Sequence, residues 1–209
     1  MAGLSSEITF YRIPLVCEAA PQIGCGCRAK PVLTALEREP NVIAAWLSRS
    51  GSVLAMEWRS AIALEQKLRI VTLALGHQTR VEQIIDPGEL HALHELLGST
   101  QAWFRADDVH RLSIEEAGVI ASRIAQRLAS ALRIEPRRLA NFESTLSAAC
   151  SQVLRNEAAA SQAWRTERLR QAVHEAATVE LGQEALGALK ASPSLADHRA
   201  NDSESRAAM

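Results

Sequence analysis

The chain has 209 residues and a formal net charge of -1, with 23 Lys and Arg against 24 Asp and Glu. Charge this balanced argues against a strongly basic nucleic-acid binder or a polyanionic tail protein, and a hydrophobic content of 47% argues against global disorder. No apolar run reaches the ~18–20 residues of a membrane span, and the start lacks the basic and then apolar regions of a secretory signal. The expectation is a cytoplasmic protein with no membrane partner.

Residues 8–16 are rich in strand formers, and Pro14 places that strand at an edge or makes it end there, because proline cannot donate to a ladder. Residues 18–26 read as a loop from their Pro and Gly content. Val32, Leu33 and Leu36 recur at helical spacing within residues 28–39, with Pro31 in the first turn and Pro40-Asn41 as the stop. Residues 42–47 and 53–58 are two strands joined by a hairpin turn, in which Gly51 is free to take a positive φ. A helix over 62–75 carries Leu64, Leu68, Val71 and Leu75 on one face and ends at Gly76. A last short strand spans 79–85. Strand, helix, strand, strand, helix, strand predicts an α+β fold, a ferredoxin-like βαββαβ sandwich over residues 7–86, followed by a helical C-terminal region.

Beyond residue 86 the pattern turns helical. Residues 87–97 form a short helix, and Ser113 with Glu116 makes a capping box that opens a longer one. Its inward face is Ile114, Ala117, Ile120, Ala121, Ile124 and Leu128. A third helix covers 136–157, with Leu139, Phe142, Leu146, Ala149 and Val153 inward, and a fourth covers 164–189. Residues 87–190 are therefore read as a helical appendage. Residues 191–209 have almost nothing to bury and are read as a disordered tail.

Cys17, Cys25 and Cys27 crowd into eleven residues, while Cys150 stands alone. In a reducing compartment such crowding points to metal or thiol chemistry before structural disulfides. Gly24-Cys25-Gly26-Cys27-Arg28, followed by Ala35-Leu36 and then Pro40-Asn41-Val42, resembles the heavy-metal-associated domain of small copper and mercury carriers. That family has a strand, a Gly-Met-x-Cys-x-x-Cys loop and a helix. Counting back from Ala35 puts Cys25 at the family's first cysteine and Arg28 at the second.

The resemblance implies a soft-metal site with Cys25 as first thiolate, Cys27 as second and Cys17 as a third donor if the loop after Cys17 folds back. Sulfur suits polarizable ions, so Cu(I), Zn(II) or Hg(II) is the expected cofactor, and three thiolates in a trigonal site would also suit an arsenite-type ion. Arg28 would favour a nearby thiolate through its charge, and His77 would reach the metal loop from the loop before the last strand. Two alternatives stand beside this reading. One is a redox pair, Cys25 with Cys27 or Cys17 with Cys25. The other is an interaction protein in which the helical region docks a protein partner or a second copy.

The remaining candidates carry weaker chemistry. His91 and His94 share a helix face beside Glu95, but no neighbouring residues complete a zinc site. Cys150 lies on the apolar side of its helix and reads as a small buried hydrophobe. Arg123, Arg127, Arg133, Arg137 and Arg138, with Arg165, Arg168 and Arg170, interleave with acidic residues and read as a solvated face rather than a nucleic-acid surface. The sequence has no Gly-rich phosphate loop, no Gly-x-Ser-x-Gly and no His-Glu-x-x-His, so catalysis is not expected.

Overall fold

The structure, a computed structural model, describes residues 6–18, 20–59, 62–76, 80–97, 99, 101–155 and 162–191. It is an α+β protein with one five-stranded antiparallel sheet and, among the described residues, seven helices. The chain divides into two compact units: Met1–Cys17 with Gln22–Leu112, and Glu18–Pro21 with Ser113–Met209.

The first unit is built on the sheet. Strands β1 (Glu7–Arg12), β2 (Val42–Ser48), β3 (Val53–Trp58), β4 (Glu82–Gln83) and β5 (Trp103–Phe104) run in the order β4-β1-β3-β2-β5. β1 pairs with β3 from Glu7 opposite Trp58 to Arg12 opposite Val53. Alternation along β1 sends Thr9 and Tyr11 to one face and Ile8 and Phe10 to the other. Helices α1 (Gly26–Glu37) and α2 (Leu64–Leu75) pack together, and α1 also packs on β2. Val32, Leu33 and Leu36 form the buried stripe of α1, as their spacing requires. On the Phe10 side, Phe10, Val53, Ala55, Ile84 and Trp103 form an apolar cluster, covered by Leu90, Leu93 and Leu97 of α3 (Pro87–Leu97).

Several elements depart from the sequence expectations. The first strand stops at Arg12, four residues early. Beyond it Ile13 and Leu15 donate their N–H groups to Ser52 and Gly51 carbonyls, while Pro14, with no N–H to give, sits exposed between them. Helix α1 begins at Gly26, so Pro31 is its sixth residue rather than part of its first turn. Leu64 at the start of α2 is 51% exposed, and the buried positions of that helix are Lys67 and Val71. The fourth strand is reduced to Glu82–Gln83, and Thr79 lies outside the described residues. The sheet does not end there: α3 lies on it and Trp103–Phe104 pairs with β2, so the first unit extends well past residue 86.

The second unit is helical. Helix α4 (His110–Ala131) starts three residues before Ser113, so Ser113 lies within the helix and is not its cap. A turn in which Asp108 Oδ1 accepts the Arg105 N–H at 2.6 Å precedes it. Ala117, Ile120, Ala121, Ile124 and Leu128 are buried as expected, but Ile114 is 46% exposed. Helix α5 (Pro136–Arg155) buries Phe142, Leu146, Cys150 and Leu154 at four-residue intervals. The expected fourth helix is two, α6 (Gln162–Glu180) and α7 (Gln183–Ala191), separated at Gly182, whose φ of 83° breaks the helical path. The tail expected to be disordered lies, from residue 192 on, outside the described residues.

Candidate functional site

The cysteine loop is a short antiparallel ribbon. Val16 bridges Gly24. The Cys17 N–H donates to Ile23 O at 2.9 Å, and the Cys25 N–H donates to Leu15 O at 2.8 Å. Residues adjacent to such a bridge project to the face opposite the bridging pair, which puts Cys17 and Cys25 on the same side. Their sulfurs lie within 4.8 Å of each other. The chain thus reverses after Cys17 and returns it to the loop.

Cys25 is also the N-cap of α1, with extended dihedrals (φ -89°, ψ 101°), and its carbonyl accepts the Ala29 N–H at 2.9 Å. Cys27 is the second helical residue. Gly26 between them has no side chain, and the Cys25 and Cys27 sulfurs stand 3.2 Å apart. Cys25 is therefore the shared member of two close sulfur pairs. Cys17 and Cys25 are buried and Cys27 is half-buried. Two sulfurs each about 2.3 Å from one ion can be at most about 4.6 Å apart. The 3.2 Å pair falls inside that span, and the Cys17–Cys25 pair needs at most a small closure.

The hairpin turn between β2 and β3 buttresses this loop. The Gly24 N–H donates to Arg49 O at 2.7 Å, and the Leu15 N–H donates to Gly51 O at 3.0 Å. Gly51 takes φ 74°, the left-handed conformation its place in the turn anticipated.

The other candidate residues are placed as follows. Arg28, third in α1, is exposed. His77 lies outside the described residues. His91 Nε2 stands 3.4 Å from Glu95 Oε1, while the His94 ring meets Phe10 edge-on at 4.9 Å between centroids, so the two histidines are engaged separately. Arg170 pairs with Glu167 at 2.8 Å, Arg168 donates to Gln171 Oε1 at 2.7 Å, and Arg138 Nε donates to Glu180 O at 3.0 Å. Within the second unit, burial first and then the Glu116 carboxylate push the Cys150 thiol up to about 12. That thiol stays protonated and is a poor nucleophile and a poor ligand.

A buried polar chain under the sheet was not anticipated. Lys67 Nζ pairs with Glu7 Oε1 at 2.6 Å and lies 5.7 Å from the centre of the Trp58 ring. Trp58 Nε1 donates to Thr9 Oγ1 at 2.7 Å, and Thr9 Oγ1 donates to Tyr11 Oη at 3.0 Å. Burial raises the Tyr11 pKa above its ordinary value, the Thr9 hydrogen bond lowers it in part, and the Glu7 charge raises it. The alternation of Glu7, Thr9 and Tyr11 along β1 was the available sequence signal, since it puts three polar groups on one face.

No protein-family model, no curated protein and no solved structure matches the chain. No helix among the described residues is long and apolar enough to cross a membrane.

Proposed function

We propose that the chain is a soft-metal-binding protein, a carrier, chaperone or sensor, that holds a thiophilic ion at Cys17, Cys25 and Cys27. The observation that carries this reading is the placement of Cys25, with its sulfur 3.2 Å from that of Cys27 and within 4.8 Å of that of Cys17. Two close sulfur pairs that share Cys25 match the donor preference of Cu(I), Hg(II) or Zn(II), while Cys27 stands outside the 4.8 Å group that holds Cys17 and Cys25 and would have to close on Cys17 for all three to share one ion. An α-helix that opens at the cysteine loop favours the thiolate form through its dipole. The reading also takes the first unit as a ferredoxin-like, heavy-metal-associated-like domain. The sheet order β4-β1-β3-β2, with α1 and α2 as the connecting helices, supports that assignment. Trp103–Phe104 and α3 are additions to it.

Function would consist of ligand exchange. A donor thiolate hands the ion to Cys27, the most exposed of the three sulfurs, and Cys25 and then Cys17 take it inward. Arg28 contributes a positive charge next to the entry point. A cytoplasmic location, and a protein partner or second copy met through the helical unit, belong to the same proposal.

The test is native mass spectrometry with elemental analysis on protein purified without oxygen, wild type beside Cys25→Ser. One Cu(I), Zn(II) or Hg(II) per chain, lost in the variant, is the expected result. A folded, fully reduced wild-type protein that takes up none of the three ions overturns the reading.

A further inference from the structure

The backbone brings the Cys25 and Cys27 sulfurs together by itself. Cys25 is held extended as the N-cap of α1, Cys27 is in the first turn, and only Gly26 separates them. The sulfurs stand 3.2 Å apart, so a covalent S–S bond of about 2.05 Å asks them to close by roughly one ångström. The two differ in access. Cys25 is 7% exposed and Cys27 is half-buried, so an incoming reagent meets Cys27 first. The first turn of α1 holds no acidic side chain, the helix dipole there favours an anion, and the exposed Arg28 follows Cys27 directly. Cys17 lies within 4.8 Å of Cys25 but not of Cys27, and is a neighbour of the inner sulfur alone. A cross-link over a single residue removes little chain entropy and adds little stability. Half-exposed as well, it belongs to the readily reversed kind of disulfide.

We propose that Cys25 and Cys27 form a dithiol–disulfide couple that reduces a low-molecular-weight disulfide of the glutathione type. This activity is additional to ion binding; it belongs to the ion-free protein and does not depend on a metal. In the first step the Cys27 thiolate attacks one sulfur of the small disulfide. The S–S bond of that molecule breaks, a mixed disulfide forms on Cys27, and one small thiol leaves. In the second step the Cys25 thiolate attacks the Cys27 sulfur from beside it, the Cys25–Cys27 bond forms, and the second small thiol leaves. Two electrons pass from the cysteine pair to the small disulfide, and the two protons of the cysteine thiols end on the two departing thiols. The same steps in reverse restore the dithiol when the small thiol is in excess. Burial keeps Cys25 from competing for the first step and leaves it in place for the second.

The experiment uses the full-length protein, reduced, stripped of metal with a chelator and kept under nitrogen, with glutathione disulfide as the probe. Released glutathione and intact mass are followed together, and remaining thiols are alkylated after an acid quench. The expected result is two glutathiones released per chain and the loss of two hydrogens from the protein mass. Because Cys17, Cys25 and Cys27 share the tryptic peptide 13–28, tandem mass spectrometry after a second, different alkylation should place the first label on Cys17 and the second on Cys25 and Cys27. Cys25→Ser, checked for folding by circular dichroism, should release one glutathione and keep the other as an adduct on Cys27. Cys27→Ser should release none on the wild-type time scale, and Cys17→Ser should behave as the wild type. A folded, reduced wild-type protein that does not react, one that stops at a glutathione adduct, or a disulfide mapped to Cys17 and Cys25 overturns the proposal. Failure here leaves the uptake of ions to its own test, and exchange in a protein that takes up no ion overturns the ion-binding reading alone.

Discussion

Gly51 lies against Gly24 so closely that a Cβ on Gly51 would stand 2.5 Å from the Gly24 Cα and 2.5 Å from the Leu15 carbonyl oxygen. The β2–β3 turn and the cysteine ribbon are thus packed backbone to backbone. The site's geometry is set by a turn that carries none of its ligands.

Gly51→Ala should therefore act on both stability and the site. The left-handed φ of 74° disfavours any side chain, and the clash is with backbone that cannot rotate away. The expected loss is about 2–4 kcal/mol, read as a lower urea midpoint. The same variant should bind a thiophilic ion more weakly, because moving Leu15 and Gly24 moves the strands that carry Cys17 and Cys25.

The Glu7–Lys67 pair is asymmetric. Lys67 is 5% exposed at its side chain and Glu7 is 48% exposed. Glu7→Gln leaves a buried ammonium without its counter-charge and should cost about 1–3 kcal/mol. Lys67→Met keeps the apolar stem over Trp58 and leaves a carboxylate that water can reach, so the cost should be under about 1 kcal/mol. Chemical denaturation of the two variants measures the order, and equal losses would show that the burial difference has no energetic consequence.

Tyr11 should titrate above the ordinary tyrosine range in the native protein. Burial dominates this shift, and the phenol keeps its proton where an unfolded tyrosine, near 10.0, releases it. Above about pH 10 the unfolded state binds fewer protons than the native state, so stability falls as pH rises through that range. Absorbance at the phenolate band, followed against pH, should show ionisation of this single tyrosine only together with alkaline unfolding. Tyr11→Phe should flatten the stability profile there.

Cys150 should resist alkylation in the native protein. Its thiol is pushed up to about 12, so at pH 8 the nucleophilic thiolate is scarce, and the residue is fully buried. Iodoacetamide at pH 8 should leave Cys150 unmodified until denaturant is added, as peptide mass mapping would show. The protection should fade between about pH 9 and pH 12, where the unfolded chain has already lost that proton and the native state is losing its advantage.

Local spacing made much of the first unit legible. The two central strands and their hairpin turn, the apolar stripe of α1, the end of α2 at Gly76 and the crowding of three cysteines before a helix could all be read from residues a few positions apart. Such features depend on backbone preference and on which neighbours share a face, and sequence carries both directly. The misreadings came where a distant partner decides. Lys67 is buried because Glu7 and Trp58 lie above it, and Leu64 takes the exposed position that its hydrophobicity argued against. Ser113 and Glu116 match a capping box, yet the helix runs through them from His110.

By itself the sequence determined the kind of chemistry available, three thiols and a helix start on one loop, and the strand-forming segments on which that loop is hung. Only the tertiary structure decided the distances. Cys17 reaches Cys25 because backbone hydrogen bonds from Leu15, Cys17 and Cys25 close a ribbon, and that ribbon holds its place because Gly24 and Gly51 permit a contact no side chain would allow. Trp103 and Phe104 are too short a run to announce a strand, and become one because β2 offers an unpaired edge. Residue types are local properties, whereas a hydrogen bond, an ion pair or a sulfur–sulfur approach needs two chain segments to arrive together, and that meeting is fixed by the packing of the whole unit.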